Sequence, residues 1–263
     1  MCSSSNSGRT RVETQLPLVG MAKEVQRLGL ALGSRDPLLL LGPQGSGKTR
    51  IVQEALSGHR NVLYLAWSPA LHGLLTAMAR VLMDAHHAEF SRRAKPGADS
   101  ETWLKAQTSM HLKGLLWNAL ESSPVPMVVD GIAGASFPAY RFLQRIYHTP
   151  GMALFAASRD AGTLGALARL FWNPEKALNI PPLHERDAER LFESAADHFK
   201  LRHLCLGEFR DKVLQSAGGN PGQIMEMCRL ATQPRYLSGR YIKFAPLRID
   251  AVTKFASSST ASR

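Results

Sequence analysis

Short, unbroken apolar runs alternate along most of this chain with longer stretches in which apolar residues recur every three or four positions. Leu38-Leu39-Leu40-Leu41 and residues 61–67, 124–130, 151–158 and 177–183 are runs of strand length. Between them, residues 21–32 place Val25, Leu28 and Leu32 on one helical face, and Asp36-Pro37 ends that segment. Residues 48–56 read as a helix stopped by Ser57-Gly58. Residues 70–83 cluster Leu71, Leu74, Leu75, Met78 and Leu82, and residues 137–148 carry Phe142, Leu143 and Ile146. Residues 92–100 read as a polar loop and residues 102–120 as one further helix. Strands that alternate with helices and stay apolar along their length predict a parallel sheet covered on both faces. After Leu183 the pattern becomes helical only, over residues 186–199, 207–217 and 221–231.

That change of pattern marks the main boundary. The expected organisation is a flexible N-terminal tail (1–15), an α/β core (16–183), a small all-α domain (184–233) and a basic C-terminal tail (234–263). In the last segment Arg235, Arg240, Lys243, Arg248 and Lys254 interleave with Tyr236, Tyr241 and Phe244. That composition suits a nucleic-acid contact or, preferably, a docked strand-like tail with a solvated basic edge.

The formal net charge of +11 attracts polyanions and keeps DNA, or a DNA-bound protein, among the candidate partners, although no nucleic-acid-reading motif accompanies it. The three cysteines, Cys2, Cys205 and Cys228, have no framework spacing. The apolar runs are too short to span a bilayer, so the expectation is a soluble cytoplasmic protein without a membrane partner. His198, His203 and Cys205 match no zinc spacing.

The chemistry concentrates where the four-leucine strand ends. Gly42-Pro43-Gln44-Gly45-Ser46-Gly47-Lys48-Thr49 fits the phosphate-binding P-loop in full, and it lies between a strand and an amphipathic helix as that motif requires. Glycines let backbone N–H groups turn inward around phosphates. The helix that follows directs its positive end at the same anions. Lys48 supplies a cation for the outer phosphates, Thr49 a hydroxyl for Mg2+, and Arg50 extends the loop. The expected ligand is a nucleoside triphosphate, ATP with Mg2+. Asp130, closing the apolar strand Val125-Pro126-Met127-Val128-Val129, is the candidate second magnesium residue. The next residue is Gly131, so the position where many P-loop ATPases carry a water-activating acid has no side chain.

Ser158, at the end of the fourth strand, is a candidate γ-phosphate sensor or, equally, a capping serine. Arg159 either binds phosphate or pairs with Asp160. Arg169 is a candidate arginine finger that would act on a neighbouring copy and so imply self-association, or else a solvated helix arginine.

Together these motifs resemble the AAA+ ATPases, in the branch shared by origin-recognition-like, transposition-helper and STAND signalling proteins. The resemblance runs from Leu16 to Ala231. It identifies residues 42–49 as Walker A, Val128-Val129-Asp130 as Walker B and Ser158 as sensor 1, and it places Arg169 in the arginine-finger box. It implies that Val19, in Leu18-Val19-Gly20, borders the adenine, and that Gly219-Asn220-Pro221-Gly222 is the lid turn holding Pro221 near the base. The implied fold is a three-layer P-loop NTPase core with a parallel five-stranded sheet, followed by a helical lid. The chain departs from the family at Gly131 and at Gln223, which stands near the usual sensor 2 arginine. Two functions stay open: a weak or partner-stimulated ATPase acting as a nucleotide-dependent switch, and a non-hydrolysing, STAND-like interaction module. A small-molecule kinase is disfavoured, because a full strand separates the P-loop from Asp130 along the chain.

Overall fold

The structure is a computed structural model that describes residues 16–59, 61–94 and 99–260. The expected tail 1–15 lies outside the described residues. Five parallel strands form the central sheet: β1 (Leu39–Leu41), β2 (Leu63–Ala66), β3 (Met127–Ile132), β4 (Leu154–Ser158) and β5 (Ala177–Asn179), in the order β2-β3-β4-β1-β5. The strand that follows the loop 42–49 in sequence thus sits at the sheet edge. Between β1 and β3 lies β4, whose Ser158 is in register with both Leu41 and Ile132.

Helices cover both faces, which is why the strands read as unbroken apolar runs. Along each strand alternate residues enter different cores. Leu40, Val128 and Phe155 pack with α1 (Ala22–Ser34) and α2 (Lys48–Leu56). Leu39, Val129 and Ala156 pack instead with α3 (Leu71–Asp84), α4 (Ala88–Ala94), α5 (Ser100–Ala106), α6 (Ser109–Ser122) and α7 (Phe137–His148). This period of two carries Asp130 to the face of α2, two residues beyond Val128.

The C-terminal helices α8 (Glu185–His198), α9 (Gly207–Ala217) and α10 (Pro221–Leu230) build the expected all-α unit. Its Phe192, Phe209 and Ile224 belong to the same continuous core as Leu28 and Ile51, so it rests directly on the α1–α2 layer.

Two segments differ from expectation. The helix expected over 102–120 is two helices, α5 and α6, divided at Gln107-Thr108. Asp99 Oδ1 accepts from the N–H groups of Glu101 and Thr102, and Thr108 Oγ1 accepts from His111 N, so each piece has its own N-cap. The expected loop at 92–100 is correspondingly shorter, and its positions 95–98 lie outside the described residues. The expected basic tail at 234–263 holds, among its described residues, a short antiparallel hairpin, β6 (Leu237–Ser238) with β7 (Tyr241–Ile242), and then a helix that was not expected, α11 (Phe244–Thr260). Leu247 and Ala251, one turn apart, are buried against the C-terminal unit, and the Tyr236 hydroxyl donates to Asp250.

Candidate functional site

The loop 42–49 leaves β1 and enters α2 through Gly45 and Gly47, whose φ values of +80° and +93° are open to glycine and strained for other residues. The Gly42 N–H is held by the carbonyls of Ser158 and Arg159 at the end of β4. Lys48 folds back over the loop, and its Nζ donates to the carbonyls of Gly42 (2.6 Å) and Pro43 (3.0 Å). Burial lowers the Lys48 pKa. The Asp130 carboxylate opposes that shift and Arg159 adds to it.

Asp130 is 8% exposed, and its Oδ2 accepts from Thr49 Oγ1 at 2.7 Å and from Tyr64 Oη at 2.9 Å. The sheet accounts for this meeting: β3 carries Asp130 beside β2, on the side where α2 presents Thr49. Burial first, and then the Asp130 charge and hydrogen bond, raise the Tyr64 phenol well above its ordinary value. The β3–β4 register shifts between Val129 and Ile132, and Gly131 within this irregularity has φ +77°. A Cβ at Gly131 would meet no atom within 4 Å, so the backbone conformation, and not crowding, favours glycine there.

A hydroxyl and a carboxylate brought together beside a lysine-bearing loop are hard oxygen donors, the donor set that suits Mg2+. Among the described residues no group of three or more His, Cys, Asp or Glu side chains is arranged to hold a metal.

Ser158 is 1% exposed. Its Oγ donates to the Ile132 carbonyl at 2.7 Å and lies 2.8 Å from Thr163 Oγ1, so its hydrogen bonds join the strand ends. Arg159 instead reaches the loop, with Nη2 donating to Gln44 Oε1 at 3.4 Å. Asp160 accepts from Thr163 N. Arg50 donates to the Leu16 carbonyl at 2.7 Å and ties the start of the described chain to α2. Arg169 is exposed, in a 3-10 turn (Ala166–Phe171), without a hydrogen bond or ion pair among the described residues.

A cavity of about 770 Å3 opens between this loop and the C-terminal helices. Val19, residues 45–50 and Pro221 line it, while Gly42, Pro43 and Gln44 do not; they are joined by His198, singled out above only as part of a failed zinc spacing, and by Phe199, Met225 and Arg229, which the sequence pattern did not single out. The two walls are fastened together. Asn220 caps α10 by accepting the Gln223 N–H at Oδ1 (3.1 Å), while its Nδ2 donates to the Gln44 carbonyl at 2.9 Å. Gly222 N donates to the Gly45 carbonyl at 2.9 Å. A Cβ on Gly222 would stand 2.6 Å from Gly45 Cα, and one on Gly45 would meet Phe255 of α11 at 2.8 Å. At the rim, Arg229 makes a two-armed bond to Glu226, which Lys254 of α11 also reaches at 2.9 Å.

No family model matches the chain, and no curated protein matches it. Solved structures do. The chain is similar to Cdc6p from Pyrobaculum aerophilum, at 14% identity and a TM-score of 0.56, over 86% of this chain and 64% of that one. A Walker-type ATPase of Pyrococcus abyssi matches at 9% identity and a TM-score of 0.59, over 93% and 73%. The replication initiator DnaA, solved with AMPPCP and single-stranded DNA, matches at 17% identity and a TM-score of 0.51, over 85% and 64%. The chain therefore spans just under two thirds of the length of Cdc6p and of DnaA. The likeness is one of fold: a five-stranded parallel α/β core followed by a helical unit.

Proposed function

We propose that this chain binds ATP with Mg2+ in the cavity between residues 42–49 and the C-terminal helices, and works as a nucleotide-dependent switch with slow or partner-stimulated hydrolysis. The observation that carries this reading is the fastening of α10 onto the phosphate loop by Asn220 and Gly222, since a ligand held by the loop must then act on the helices. Phosphate oxygens replace the carbonyls now bound by Lys48. Thr49 and Asp130 are the residues that would hold Mg2+, which when bound neutralises phosphate charge. Val19, Phe199, Met225 and Pro221 supply an apolar bed for the base. Residues 16–183 act as the ATPase core and the helices after Leu183 as its lid. Arg159 is better sited than Ser158 to sense the phosphates, and Arg169 is the group offered to a second copy. The partners are ATP and, from the net charge, DNA or a DNA-bound protein, in a cytoplasmic setting.

Gly131 supports a second reading, in which the chain binds ATP without hydrolysing it and serves as an interaction module. Steady-state hydrolysis and ATP affinity, measured with and without DNA for the wild type, Lys48→Ala and Asp130→Ala, separate the two. Turnover that Asp130→Ala abolishes supports the switch, and binding without turnover under every condition supports the module. Unchanged ATP affinity in Lys48→Ala defeats both.

A further inference from the structure

On the sheet face opposite the nucleotide cavity, α6 and α7 border a groove of about 590 Å3 that no role above has used. Its lining contains Lys113, Arg141, Arg145 and His148, all exposed, and no Asp or Glu. None of these four side chains joins an ion pair among the described residues. Elsewhere exposed arginines such as Arg80 and Arg202 are paired with carboxylates. Three cations, Lys113, Arg141 and Arg145, around one recess repel each other, and that arrangement suits an anion from outside.

The Arg145 guanidinium lies over the Trp117 indole, 3.4 Å from the ring centre. Stacking of this kind fixes the guanidinium plane and leaves its N–H edge free to fork onto an oxyanion. Trp117 and Phe142 are buried beneath, so the surface offered is the cationic rim, with the exposed Met110 at its margin. Arg141, Arg145 and His148 follow one another at intervals of four and three residues along α7. That spacing sets them in a row about 5–6 Å apart on one face.

We propose that this groove binds single-stranded nucleic acid through its phosphates. A row of donors in a recess fits one backbone with a repeating charge. A duplex needs an element that projects into its grooves, and an amphipathic acidic helix needs a broader apolar floor than Met110 alone, since Arg145 covers Trp117. The proposal rests on the nucleic-acid partner of the preceding reading and names the surface for it.

The test is the fluorescence anisotropy of a labelled oligothymidylate titrated with the full chain over a range of salt, with ATP affinity and thermal melting measured in parallel. The wild type is expected to bind with a log–log salt slope of about −2 to −3, for three or four phosphates at about 0.7 each. Arg141→Glu with Arg145→Glu is expected to weaken binding at least tenfold and to flatten the slope by about 1.4, with ATP affinity unchanged within twofold. Lys113→Gln, at an exposed position, is expected to flatten the slope by about 0.7 with an unchanged melting temperature. Oligothymidylate affinity equal in wild type and both variants overturns the proposal. So does a wild type that binds no oligothymidylate, or one that binds polyglutamate of equal charge more tightly. Oligothymidylate binding lost in the variants, from a wild type that itself does not bind ATP, upholds the groove and overturns the switch reading.

Discussion

Tyr64 and Thr49 donate to one and the same oxygen, Oδ2 of Asp130, at 2.9 Å and 2.7 Å. The edge strand β2 therefore contributes a residue to the centre of the site. Tyr64→Phe removes one donor and keeps the ring. The expected cost is about 1 kcal/mol of stability, read by denaturant unfolding. A severalfold loss of ATP affinity is expected with Mg2+ and none without it, because only the carboxylate's role is disturbed. Equal losses in both conditions would show that Tyr64 acts on the fold alone.

The contact of Gly222 with Gly45 leaves no room for a side chain. Gly222→Ala sets a Cβ 2.6 Å from Gly45 Cα, so the loop and α10 must separate. Overpacking of this kind costs about 1–3 kcal/mol. A loss of ATP affinity of about tenfold is expected, with the circular dichroism spectrum unchanged. Calorimetric titration checks it, and wild-type affinity in the variant would remove α10 from the site.

Gly131 occupies a backbone conformation that other residues adopt at a cost of about 1–2 kcal/mol. Gly131→Glu supplies an acid after Asp130 but strains the turn. It is expected to lower stability by about that amount without raising ATP turnover. A turnover above wild type in a phosphate-release assay would mean that the missing carboxylate alone limits hydrolysis.

Glu226 is held below its ordinary value of 4.5, chiefly by the Arg229 guanidinium and further by Lys254. A carboxyl with a lower pKa in the folded than in the unfolded chain adds stability above pH 4.5. That contribution fades as the pH falls through the folded value. Glu226→Gln is accordingly expected to be less stable than wild type near neutrality, by about 1 kcal/mol or less given its exposed partners. The gap should close as the pH falls below 4.5 and through the lower folded value. Thermal melts of both proteins across that range test it, and a gap independent of pH would contradict the ion pair.

Much of this site is legible in the chain. Four leucines running into a glycine-rich loop and an amphipathic helix can be read directly, as can a valine strand ending on Asp130, because each signal is local. Tyr64, Phe199 and Arg229 reach the site through strand order and helix packing, which no local spacing encodes. Period-two alternation puts Tyr64 on one face of β2, but only the pairing of Ala66 with Asp130 brings it to the carboxylate. The break at Thr108 lacks glycine or proline, and its signal is the capping threonine alone. The helix α11 was obscured by its Ser- and Ala-rich end, although Leu247 and Ala251 already mark a buried stripe one turn apart. Ser158 has the position expected of a sensor, yet its hydroxyl serves Ile132 and Thr163, a choice made by the backbone of β3.

Both flanks of the described chain meet the phosphate loop. Leu16 accepts from Arg50 in the first turn of α2, directly after the loop, and Phe255 stands against Gly45 within it. The two flanks are thus anchored on neighbouring residues of one short stretch of chain. Because one flank is held at α2 and the other at Gly45, an energy-transfer pair placed on residues 16 and 255 would turn a shift of the loop against α2 into a change of length.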